Sequence, residues 1–102
     1  MGKITTVVVR NSQNGVVVDP DSVELSVGAG DTIHWVTTGP DGFDINFGSE
    51  ANCPFDWPDG KKHGSPDSGL PSGPIRKMKE KVYSYNAEIG KAAADPEVSI
   101  KR

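Results

Sequence analysis

Gly30-Asp31-Thr32-Ile33-His34-Trp35 reads as a turn that leads into a strand. Glycine and aspartate favour the turn, and from residue 32 onward polar and apolar side chains alternate, which is the period of a strand with one buried face. Ile33 and Trp35 share the apolar side, so we predict Trp35 as a central core residue. His34 then points to the opposite face or pairs with a polar residue of a neighbouring strand.

Apolar and β-branched runs of strand length recur along the rest of the chain. The pair Asn14-Gly15 tolerates positive φ and predicts a tight connection between two of these runs. Residues 79–81 predict a charged turn. Residues 88–94 form the only helical candidate, which Gly90 weakens. The other predicted strands cover residues 7–9, 16–18, 23–27, 43–47, 75–78, 82–85 and 97–100.

Length and composition favour one loop-rich β domain. The 102 residues suit a single core, so we predict one domain over residues 1–102. The chain has 12 glycines and 8 prolines against an apolar content of 34%, which favours turns over long helices. Seven or eight short strands with turns between them predict an all-β fold, a Greek-key sandwich or barrel of immunoglobulin-like architecture.

Charge and hydropathy exclude several classes of partner. A net charge of −3 gives no basic field for nucleic acid, and no apolar run approaches the roughly 20 residues that cross a bilayer. We therefore expect no nucleic-acid binding and no membrane insertion, and we expect a monomer. No apolar h-region follows Met1, so the protein is expected in the cytoplasm, or in the periplasm or outside the cell if a signal peptide was removed.

Residues 48–74 break the strand pattern. Prolines and glycines alternate there, so we predict a long irregular insert between strands. Phe55 and Trp57 within it would form a recognition patch if a loop displayed them, or would cap one end of the sandwich if they folded inward. A domain this small needs its large apolar side chains, which favours the inward arrangement. The candidate binding residues are Phe55, Trp57 and His63.

The order of these segments resembles that of cupredoxins, the blue-copper protein family. Residues 30–35, then residues 43–47, then Tyr83-Ser84-Tyr85 match the family's Gly-Asp-x-Ile-x-Trp strand, its first ligand segment and its approach to the ligand cysteine. The final segment, residues 95–100, resembles the strand that closes the domain. The resemblance implies a cupredoxin-like Greek-key fold over most of the chain except residues 48–74.

The same resemblance implies that the type 1 copper ligands are missing. Phe43, or Asp44 after a slip of one residue, stands where the family has its first histidine, and Ala87 stands where it has cysteine. Residues 88–94 supply neither histidine nor methionine. A blue-copper centre needs a thiolate and two imidazoles, so we predict no type 1 copper, no cofactor and no electron-carrier role.

Other chemistry has little support in the pattern. Cys53 is the only cysteine, and acidic neighbours do not activate a thiol. No serine lies in a nucleophile-elbow pattern, and no carboxylate pair stands in apolar surroundings, so we predict no catalytic residues and no enzyme. Several aspartates read as turn formers or, alternatively, as calcium ligands. These aspartates are Asp41, Asp44, Asp56, Asp59 and Asp67.

Two functional hypotheses follow. The first is a metal-free, cupredoxin-like binding or interaction module whose ligand, a protein or a small molecule, is unknown and binds through the long insert. The alternative is a metal-binding or redox protein with an atypical site built from His34, Cys53 and His63.

Overall fold

Short strands dominate this computed structural model, which describes residues 2–13, 15–76 and 80–101. Within these ranges the chain is all-β, with eleven strands and one 3-10 helix, Glu50–Asn52. No helix in them has the length and apolar character needed to cross a bilayer. The strands are β1 (Ile4–Ser12), β2 (Gly15–Asp19), β3 (Ser22–Ser26), β4 (Thr32–Thr37), β5 (Phe43–Asn46), β6 (Lys61–Gly64), β7 (Leu70–Pro71), β8 (Lys81–Ser84), β9 (Asn86–Ile89), β10 (Ala92–Ala94) and β11 (Glu97–Lys101).

The strands form three hydrogen-bonded sheets. The first has the order β2-β1-β4-β7, the second β3-β11-β8 and the third β10-β9-β5-β6. β1 runs parallel to β4 and β3 runs parallel to β11, whereas the other pairs are antiparallel. Tyr85 separates β8 from β9, so the chain leaves the second sheet there and enters the third. The described residues hold more strands than the seven or eight predicted mainly because β6 and β7 lie within residues 48–74 and β10 lies within the predicted helix.

One core lies between the three sheets, because the alternation within each strand turns its apolar side chains inward. Trp35 is fully buried, as predicted. Its indole ring lies 6.0 Å from the ring of Phe55 and 5.7 Å from those of Trp57 and Tyr85. The Trp35 Nε1–H donates a hydrogen bond of 3.1 Å to the Tyr85 hydroxyl, and burial raises the pKa of Tyr85 to about 12. The polar atoms of this aromatic cluster are therefore paired.

The predicted helix over residues 88–94 is wrong. β9 and β10 form a hairpin there, in which Ile89 lies opposite Ala92. Gly90, the first residue of the two-residue turn, has a φ of 61°, a conformation that ends a helix and suits a tight hairpin. Ala87 and Ile89 are both buried, two residues apart, so burial follows the strand period and not the helical one.

Residues 48–74 are more ordered than their composition predicts. β6 and β7 lie within them, and β7 pairs with β4 through Leu70 opposite Trp35. Pro71 is tolerated because β7 is an edge strand. Asn14 of the predicted turn pair lies outside the described residues. So do residues 77–79, on which parts of the predicted strand 75–78 and of the charged turn 79–81 fall.

Asp31, in the predicted turn before β4, ties three segments together. Its buried carboxylate accepts hydrogen bonds from the backbone N–H of Lys3 at 3.1 Å and of Ser26 at 2.9 Å. These two bonds stabilise the ionised form and so hold the pKa of Asp31 below its ordinary value of 3.8, with the bond from Lys3 contributing most and the bond from Ser26 next. The start of β1 is thus held against the end of β3.

We expect this carboxylate to contribute to acid unfolding. A carboxyl with a lowered pKa in the folded state stabilises the protein above its ordinary pKa, and this contribution is lost as the pH falls through the folded value. Urea unfolding between about pH 6 and about pH 2 should therefore show a smaller loss of stability in Asp31→Asn than in the parent. The exposed Asp41 supplies the control, and an Asp41→Asn curve that flattens equally would contradict this assignment.

Candidate functional site

Most polar side chains of the third sheet lie on the side of the sheet that faces away from the core. In β5, Phe43 and Ile45 are buried, so Asp44 and Asn46 point to the opposite side of the sheet. Asp44 lies between two neighbours, His63 on β6 and Glu88 on β9. We call this surface the β5 face, and it consists of Asp44, Asn46, Lys61, His63, Asn86 and Glu88.

One backbone bond fixes how β5 and β6 pair. The Phe47 N–H donates to the Gly60 carbonyl oxygen at 2.7 Å, so these opposite residues form a hydrogen-bonded pair. Hydrogen-bonded and non-hydrogen-bonded pairs alternate along antiparallel strands. Three positions further along, Asp44 and His63 therefore form a non-hydrogen-bonded pair, in which opposite side chains lie closest together.

The side chains of this pair are hydrogen-bonded to each other. His63 Nδ1 lies 2.8 Å from Asp44 Oδ1, with the two side chains 67% and 58% exposed. A carboxylate only accepts, so the bond requires a proton on Nδ1 and, in the neutral ring, leaves Nε2 as an acceptor. Asp44 thus fixes both the orientation and the tautomer of the imidazole. At this exposure the bond itself adds little to stability.

Gly42 leaves the space that the His63 ring needs. A Cβ at residue 42 would lie 2.6 Å from His63 Nε2, 2.7 Å from its Cε1 and 2.8 Å from the carbonyl oxygen of Gly64. All three distances are shorter than any ordinary carbon contact. A residue other than glycine would therefore displace the ring from Asp44.

We expect Gly42→Ala to break the Asp44–His63 bond and to cost about 1 to 3 kcal/mol of stability through overpacking. In the parent, nitrogen NMR of the His63 ring should show the Nδ1–H tautomer, and in the variant this preference should disappear. Gly39→Ala is the matched control, because a Cβ at Gly39 meets nothing within 4 Å. An unchanged tautomer in Gly42→Ala would show that Gly42 does not position the ring.

The charges on the β5 face are separated by strand. Glu88 and Asp44 lie opposite each other on β9 and β5, whereas Lys61 and His63 lie on β6. Adjacent strands are about 4.8 Å apart, so the face changes from acidic to basic over about 10 Å. A shallow depression of about 510 Å³ lies over it, lined by Asp44, Asn46, Lys61, Lys62, His63 and Glu88. Such a surface can bind a polar partner through both donors and acceptors.

Of the three candidate binding residues, only His63 lies at this surface. Phe55 and Trp57 are 0% and 1% exposed, so these rings take the inward arrangement that the sequence favours and do not form a displayed binding patch. They pack on Trp35 and Phe47, and the Trp57 Nε1–H donates to the Ser72 carbonyl oxygen at 3.1 Å. Burying two large aromatic side chains is strongly favourable in a domain of this size.

The residues of the alternative site each have a different environment. Cys53 is fully buried, and burial raises the pKa of its thiol. His34, half-buried, donates from Nε2 to the Ser68 carbonyl oxygen at 3.1 Å, while His63 is bonded to Asp44. In the part of the chain that the structure describes, no three side chains of His, Cys, Asp or Glu are grouped so as to hold a metal ion. The structure brings together neither this set nor the aspartates considered as calcium ligands.

Sequence reasoning missed most of the site. The sequence pattern predicts Asp44 as a turn former or a calcium ligand, and it assigns no functional role to Gly42, Lys61 or Glu88. The alternation in residues 43–47 already places Asp44 and Asn46 on the outward side, but nothing in the sequence pairs them with residue 63 or residue 88.

In comparisons with known proteins, no family model matches the chain and no curated protein matches it significantly. The geometry of the β5 face is the observation from which a function is proposed below.

Proposed function

We propose that this protein is a non-catalytic binding module of cupredoxin-like Greek-key fold, and that it binds its partner through the β5 face. The observation that carries the proposal is the Asp44–His63 pair. Asp44 orients the ring and Gly42 leaves it room, so a partner meets a preorganised imidazole. Two residues of this face, Lys61 and His63, belong to residues 48–74, the insert that the sequence predicts as the binding segment.

Strand pairing supports the cupredoxin-like part of the proposal. The resemblance assigns the first copper ligand to residue 43 or 44 and the cysteine to residue 87, so the two positions must be neighbours. β5 and β9 are adjacent here, with Ile45 opposite Ala87 and Asp44 opposite Glu88. The two strands that carry these motifs are therefore neighbours, which supports the proposed likeness.

The donor set at these positions does not fit copper. Phe43 and Ala87 are both buried and carry no atom that coordinates a metal. The hairpin turn at Gly90-Lys91 joins β9 directly to β10 and adds no thiolate, imidazole or thioether. A type 1 centre needs a thiolate and two imidazoles, so we derive no electron transfer for this protein.

Copper titration tests the metal-free part of the proposal. After addition of Cu(II) in slight excess and gel filtration, we expect no intense visible band from thiolate-to-copper charge transfer. A stoichiometric blue species would contradict it.

Affinity capture tests the binding part. The immobilised protein is compared with the isosteric double variant Asp44→Asn/Glu88→Gln, which removes both carboxylates of the β5 face. The control is Glu24→Gln/Glu97→Gln, which removes the same charge from exposed positions on the second sheet. A partner from the native extract should be retained by the parent and the control and lost by the β5-face variant. Equal retention by all three would exclude the β5 face as the binding surface.

A further inference from the structure

β6 is an edge strand of the third sheet. It pairs with β5 on one side, and the sheet order places no strand on its other side. Because Asp44 opposite His63 and Asn46 opposite Lys61 are non-hydrogen-bonded pairs, the backbone N–H and C=O groups of Lys61 and His63 point away from β5. We call this outward side of Lys61–Gly64 the β6 edge.

The backbone groups at the β6 edge are free within the described residues. No backbone or side-chain hydrogen bond in those ranges involves the main-chain N–H or C=O of Lys61 or His63. β7 comes near β6, and Gly69, just before β7, pairs with Ser65, just after β6, but β7 itself forms no strand pairing with β6. Two donors and two acceptors therefore repeat along the edge at the spacing of alternate strand residues, about 6.8 Å. Another extended backbone is the partner that matches this repeat.

The side chains of the edge favour an acidic partner. Lys61, Lys62 and His63 are consecutive and exposed. Neither lysine lies within ion-pair distance of a carboxylate among the described residues, and the Lys62 ammonium lies 5.7 Å from the ring centroid of Trp57. Lysines on an edge strand also oppose pairing with a second copy of the same strand, because like charges would then face each other.

On the proposed function, in which the β5 face binds a partner, we infer that the partner contributes an extended acidic peptide segment that adds to the third sheet at the β6 edge. Its backbone bonds to the outward groups of Lys61 and His63, which extends the sheet by one strand. Its acidic side chains lie beside those of Lys61 and His63, where opposite charges on neighbouring strands attract. The β5 face is then continued onto the bound segment.

The test uses a blocked hexapeptide of alternating glutamate and valine as the probe, added to ¹⁵N-labelled protein. Amide shifts are expected to change most at Lys61 and His63, whose N–H groups point outward, and least at Lys62 and Gly64, whose N–H groups point to β5. N-methylation of the peptide amides that face the protein should weaken binding by about tenfold, because it removes backbone donors. A lysine–valine hexapeptide should not bind.

Variants of the protein show how much of the peptide binding comes from the lysine charges and how much from backbone hydrogen bonds. Lys61→Gln/Lys62→Gln should weaken binding of the Glu–Val peptide by about threefold to tenfold, since each exposed charge contributes modestly. Lys81→Gln/Lys91→Gln removes the same charge from exposed positions outside β6 and should leave binding unchanged.

The inference would be overturned by unchanged amide shifts at Lys61 and His63 at millimolar peptide, or by equal binding of the lysine–valine peptide. Amide shifts that depend on protein concentration without peptide would also overturn it, because they would show that a second copy of the chain binds at the β6 edge. If the peptide fails while Asp44→Asn/Glu88→Gln still abolishes capture, the β5 face stands and only the edge is refuted. If the peptide binds while capture does not depend on the two carboxylates, the β6 edge stands as a peptide site and the β5 face is refuted as the binding surface.

Discussion

Replacing Trp35 with alanine is expected to lower the free energy of unfolding by about 3 to 5 kcal/mol. The side chain is fully buried and contacts the rings of Phe55, Trp57 and Tyr85. Its loss leaves a cavity, and it also leaves the Tyr85 hydroxyl without the Trp35 Nε1 donor. Urea unfolding followed by circular dichroism measures the change.

Val82 supplies the control for Trp35. Its side chain is 51% exposed on β8, so Val82→Ala should change the free energy of unfolding by no more than about 0.5 kcal/mol. An effect of Trp35→Ala as small as that of Val82→Ala would show that the ring is not in the core.

Trp57→Ala is expected to cost a similar amount, about 3 to 5 kcal/mol, although the residue lies in the segment that reads as a loop. The ring is 1% exposed and lies 5.7 Å from the ring of Phe47 and 5.6 Å from that of Phe55. Its Nε1–H is bonded to the Ser72 carbonyl oxygen, so the indole joins two parts of residues 48–74. Thermal unfolding of the variant beside the parent gives the measurement.

The neighbouring Asp56 provides a matched comparison for Trp57. It is exposed, and Asp56→Ala should stay within about 0.5 kcal/mol of the parent. If Trp57→Ala were equally harmless, the segment would be a displayed loop, and Phe55 and Trp57 would again be candidates for a recognition patch.

The sequence predicted those parts of the fold that are set within a single strand. Around Trp35 and Ile45 the alternation of side chains identifies both the strand and its buried face, because the period of two is a local property. The hairpin of β9 and β10 was missed because alanine-rich residues favour a helix in isolation. Gly90 reverses the chain there, and the burial of Ile89 then favours the strand.

The candidate site depends on pairing between distant residues, and a sequence pattern does not report pairing. Asp44 and His63 are 19 residues apart, and only the register of β5 with β6 places them opposite each other. A slip of one residue would turn His63 to the other side of the sheet. Trp57 shows a related limit, because the small size of the domain favours an inward ring but no alternation of side chains around residue 57 shows what the ring packs against.

Amide hydrogen exchange along β6 tests most directly the central claim that residues 48–74 carry a true strand of the third sheet. The pairing predicts slow exchange for the N–H groups of Lys62 and Gly64, which point to β5, and fast exchange for those of Lys61 and His63, which point outward. This alternation is expected in the protein without a partner. Uniformly fast exchange across the four residues would contradict it and would remove His63 from the β5 face.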